Sequence, residues 1–106
     1  MPSRQAIDPE LEAAFARFWE ADRPSQSARI ALLRQAAGDR GAALDDEAAR
    51  VAHGLGGVAA MYGFATARGI AFEIEQRFRQ GGLAPDLPIL IDQLESALAA
   101  PYPDRA

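Results

Sequence analysis

The chain has 106 residues, 49% of them apolar and 25% charged, with a net charge of −4, enough for one hydrophobic core and too short for two. It has no cysteine, which excludes disulfides and thiolate metal sites and favours a reducing compartment, and its eleven basic residues, all arginine, are scattered, which argues against nucleic-acid binding. The longest near-apolar stretch, Val58 to Ala65, falls far short of the roughly 20 residues of a membrane span, and no apolar leader follows Met1, Pro2, Ser3 and Arg4, so a cytoplasmic protein is expected.

The apolar share is mostly Ala and Leu, which favours helix over strand. Asp8-Pro9-Glu10 reads as a helix start, with a capping Asp, a Pro at the first helical position and an acid in the first turn. A first helix is predicted over about residues 9–21, with Leu11, Phe15, Phe18 and Asp22 on one stripe, Ala14 and Trp19 beside it, and Arg23-Pro24 as its end. Ser25 or Ser27 then caps a second helix, about residues 25–37, whose Ile30, Leu33 and Ala37 recur at helical spacing before Gly38. After the polar turn Asp39 to Ala43, a third helix runs to about residue 62. In it Leu44, Ala48, Val51, Leu55, Val58 and Tyr62 alternate spacings of four and three, as a buried bundle seam does.

Gly63 punctuates that helix, and a fourth follows over about residues 65–80, with Ala67, Ile70, Ala71, Ile74 and Phe78 inward and Gly81-Gly82 at its end. Pro85 and Pro88 flank the start of a fifth, about residues 87–100, in which Leu87, Leu90 or Ile91, Leu94 and Leu98 form the apolar face; the tail from Pro101 is expected to fray. No segment has a period of two. The expected fold is therefore all-α, an up-down-up-down four-helix bundle with an additional N-terminal helix, in one domain.

At about 100° per residue, the single histidine, His53, falls about 180° from the core seam of its helix and so faces solvent. Around it on that face lie Asp46, Ala49, Gly56, Gly57 and Ala60, a surface nearly bare of side chains on which a large partner can dock. Gly54, Gly56 and Gly57 each cost a helix interior about 1 kcal/mol relative to Ala, which points to a steric requirement. Close helix packing is the structural alternative, and it suits Gly54, which is nearer the core side. An exposed histidine with no task is the competing reading of His53.

The stretch Val51-Ala52-His53-Gly54-Leu55-Gly56-Gly57-Val58-Ala59-Ala60-Met61-Tyr62-Gly63-Phe64, followed by Ile74-Glu75-Gln76 and Arg79-Gln80-Gly81, resembles the histidine phosphotransfer (HPt) domain. The family's hallmark is His, any residue, an apolar residue, Lys and Gly, then small residues, a Gly six positions on, and a helix rich in acids and amides. The chain departs from it at Gly56, where the family has Lys; it contains no Lys at all.

The resemblance implies a phosphocarrier rather than an independent enzyme. His53 takes a phosphoryl group from one receiver-domain aspartate and passes it to another, with a hybrid sensor histidine kinase upstream. It implies no cofactor and no metal in this chain, since the receiver brings its own Mg²⁺, and a monomer is expected. Glu75 stands where the family accepts a hydrogen bond from the histidine Nδ1, leaving Nε2 as nucleophile; a solvated helix Glu is the plain reading. Arg79, one turn beyond Glu75, or Arg68, two turns before it, can supply the missing positive charge, Arg79 being preferred, although a Glu-Arg pair four apart is also an ordinary surface feature. Phe72 on the same face is either an anchor for a partner or packed on a neighbouring helix. The alternative function is a docking bundle that binds response regulators or kinases without phosphotransfer. A hydrolase or metalloenzyme is disfavoured, because no Ser or Cys nucleophile lies near His53 and one histidine makes no ligand set.

Overall fold

A computed structural model describes residues 8–102; the readings of the first four residues and of the chain beyond Tyr102 lie outside them. Four helices and no strands are found among these residues: α1 (Pro9–Gly38), α2 (Ala42–Tyr62), α3 (Ala65–Gln80) and α4 (Leu87–Ala99). Packing follows chain order, α1 on α2, α2 on α3 and α3 on α4, and α1 also meets α4, which closes the bundle. The short connections reverse the chain at each end. None of these helices is long and apolar enough to cross a membrane.

Two expected helices are one. The break at Arg23-Pro24 does not form, Pro24 sits inside α1, and Ser25 and Ser27 are exposed mid-helix residues rather than caps, so among the described residues there are four helices and no additional N-terminal one. A proline there removes the donor to the Glu20 carbonyl, at a cost of about 3 kcal/mol in a helix interior. Both residues are exposed, where water can take the freed carbonyl. Across the proline, Trp19, Gln26, Ile30, Leu33 and Ala36 form one continuous buried face, and its packing offsets the local cost. The inward stripe differs accordingly: Trp19 is fully buried, whereas Phe18 is 59% and Leu11 49% exposed. The Trp19 ring packs tilted against Tyr62 and Phe64, with ring centroids 5.2 and 4.8 Å apart, and so ties α1 to the α2–α3 turn. That turn needs its glycine, since Gly63 has φ 85°, a left-handed cap favourable only without a Cβ.

The buried face of α2 is also turned from expectation. Ala48, Ala49, Ala52, Leu55, Ala59 and Tyr62 are buried, while Leu44, Val51 and Val58 are only half-buried. The alanines let α3 approach closely, and the face centre shifts toward them by roughly 50°. His53 therefore stands on the shoulder of the α2–α3 interface, not diametrically opposite the core.

Candidate functional site

The His53 side chain remains 76% exposed although its helix is packed on both flanks. Its Nδ1 lies 3.2 Å from Glu75 Oε1 on α3. The other carboxylate oxygen, Oε2, accepts from Arg79 Nε at 2.8 Å, one turn further along α3. Glu75 itself is buried, with 7% of its surface exposed, so it is a core-edge carboxylate and not a solvated helix Glu. Burial pushes its carboxyl pKa up, but the hydrogen bonds from Arg79 and His53 outweigh burial and hold it below the ordinary range. An ionised carboxylate only accepts hydrogen bonds, so Nδ1 carries a proton and donates, and in the neutral ring Nε2 holds the lone pair on the open side.

That open side is a groove between α2 and α3, lined by Ala52, His53, Gly56, Gly57 and Ala60 from one helix and Arg68, Gly69, Phe72 and Glu75 from the other. It gathers most of the residues singled out in the sequence, but not Ala49, Asp46 or Arg79. Arg79 reaches the site only through Glu75, and Ala49 is fully buried, because the close approach of α3 covers the position that an idealised helix leaves open. Phe72 projects into solvent with 59% of its surface exposed, so it does not serve as packing for a neighbouring helix.

The glycines divide differently from expectation. A Cβ at Gly56 would touch the Ala71 Cβ at 3.5 Å and approach the Arg68 carbonyl at 3.9 Å, so Gly56 faces α3. Gly54 and Gly57 have nothing within 4 Å of that position, and Gly54 is therefore not a packing glycine. Gly69 and Ala52 were not singled out. Gly69 carries a readable signal, a mid-helix glycine three residues before Phe72, and its Cβ position is also open; the role of Ala52 follows only from the turned face of α2.

Chemically, the arrangement is a nucleophilic imidazole nitrogen held in one tautomer and open to a large partner. No curated protein and no solved structure matches the chain. The Hpt domain family matches residues 9–100, from the first turn of α1 to the end of α4, and the chain belongs to that family.

Proposed function

We propose that the protein is a monomeric cytoplasmic phosphocarrier of a two-component phosphorelay, in which His53 takes a phosphoryl group from one receiver-domain aspartate and gives it to another, with a hybrid sensor histidine kinase as source. The observation that carries this reading is the pairing of the exposed His53 with the buried Glu75 at 3.2 Å, beside a groove whose α2 side is otherwise only glycine and alanine. In the forward step the Nε2 lone pair attacks phosphorus, the P–O bond to the aspartate breaks, and the carboxylate leaves with the electron pair. Nδ1 keeps its proton, so the phosphorylated ring carries a positive charge that faces Glu75. Reversal on a second receiver returns the neutral ring. This chain contributes nucleophile, orientation and docking surface; the receiver contributes the acceptor or donor aspartate and Mg²⁺.

A docking bundle without transfer is favoured by one observation, the glycine at position 56. Incubation with a receiver labelled on its aspartyl phosphate separates the two. A carrier takes the label and passes it to a second, unlabelled receiver; a docking bundle retains the labelled receiver on a column but takes no label.

Gly57 tests the docking surface through two effects of opposite sign. Its Cβ position is open, so Gly57→Ala and Gly57→Gln are expected to stabilise the helix by about 0.5–1 kcal/mol in urea unfolding, through lost freedom of the unfolded chain. The same variants are expected to slow transfer from a receiver, Gln more than Ala, because the added side chain stands one turn from the imidazole. A less stable Gly57→Gln that transfers normally when folded contradicts this.

A further inference from the structure

Resting on the phosphocarrier reading, we propose that Arg68 is the residue that binds the phosphoryl oxygens, reaching across the groove from α3 rather than from the helix that carries His53. A phosphoryl group on Nε2 brings close to two negative charges at neutral pH and three acceptor oxygens, and something in the groove must meet them. The other arginines of α2, of α3 and of the turn before α2 are engaged. Arg79 donates to Glu75 Oε2 at 2.8 Å, on the side of the carboxylate away from the ring. Arg50 pairs with Asp46 at 2.9 Å, Arg77 with Asp86 at 3.0 Å, and Arg40 with Asp45 at 2.7 Å.

Arg68 is the cation left over. Its side chain is exposed, makes no hydrogen bond or ion pair among the described residues, and lines the same groove as His53. The backbone places it across from the turn that follows His53: its carbonyl oxygen lies 3.9 Å from where a Cβ of Gly56 would stand, and Gly56 is three residues after His53. Gly57 and Gly69, with nothing within 4 Å of their Cβ positions, leave the guanidinium free to swing over the ring, and its planar fork of donors matches a phosphoryl group.

The test uses phosphoramidate, a small donor that has no protein surface to dock. Nε2 attacks its phosphorus, the P–N bond breaks, and the amine, protonated on arrival, departs as ammonia. Wild type, His53→Gln, Arg68→Gln, Arg68→Lys and the double variant Arg68→Gln with Gly56→Lys are compared at low and high salt, with urea midpoints as a control on folding. Arg68→Gln is expected to slow His53 labelling about tenfold, less than a buried oxyanion donor is worth because the groove is open to solvent. Arg68→Lys should keep most of the rate, the double variant should recover part of it through a cation placed on α2, and high salt should bring wild type toward Arg68→Gln. Labelling of Arg68→Gln at the wild-type rate, or equal slowing in Arg68→Lys, overturns the assignment while the His53-dependent label in wild type leaves the phosphocarrier reading standing. A wild type that takes no label overturns both.

Discussion

Replacing His53 with Gln is expected to abolish phosphoryl label on the chain, whatever the donor, with no change in fold. Gln is close in size, has no nucleophilic nitrogen lone pair, and stands at a site that is 76% exposed, so packing loses little. As His53 is the only histidine, no second imidazole can take over the task. The label on wild type is expected to be acid-labile and base-stable, as a P–N bond to imidazole is. Label that survives in the His53→Gln variant, or that resists acid, contradicts the assignment.

Replacing Glu75 with Ala is expected to slow transfer by about 10–100-fold, the usual cost of losing the group that orients and polarises a functional histidine. Two effects combine: Nδ1 loses the acceptor that fixes the tautomer, and the positive charge of the phosphorylated ring loses its counter-charge. Glu75→Gln keeps an acceptor for Nδ1 without the charge, and is expected to fall between wild type and Glu75→Ala. Stability should change with pH in a defined direction. The Glu75 carboxyl is held below its ordinary value of 4.5 in the fold, so its contribution is fully present above about 4.5 and is lost as the pH falls through the lowered folded value. Glu75→Gln should flatten that acid limb in urea unfolding. Transfer at the wild-type rate by a folded Glu75→Ala contradicts the positioning role.

Much of the helical framework is readable from local chemistry. Asp8 accepts from the Glu10 amide at 2.9 Å as a capping Asp should, and Gly63 and Gly81 stand immediately after α2 and α3 with positive φ. Pro24 misleads because propensity is local, whereas the continuity of α1 is decided by a buried face that extends on both sides of the proline. Ala49 misleads for a related reason. A pattern centred on Leu and Val puts it outside the core, yet small residues are where helices approach most closely, and the direction of that approach is set by the partner helix. At the site, His53 and Glu75 are legible through the family's motif. The engagement of Arg79 by Glu75 is the pair four apart that the sequence also offers; the free state of Arg68 is not legible, since it depends on which side of α3 faces α2.

The most direct measurement is a long-range proton–nitrogen spectrum of the phosphorylated protein with nitrogen-15 in its histidine, read together with phosphorus coupling. With a single imidazole in the chain, the pattern belongs to His53 alone. The account predicts phosphorus coupled to Nε2 and a proton retained on Nδ1, whose resonance shifts in Glu75→Ala. Phosphorus on Nδ1, or a phosphorylated protein whose imidazole shows no phosphorus coupling, contradicts it.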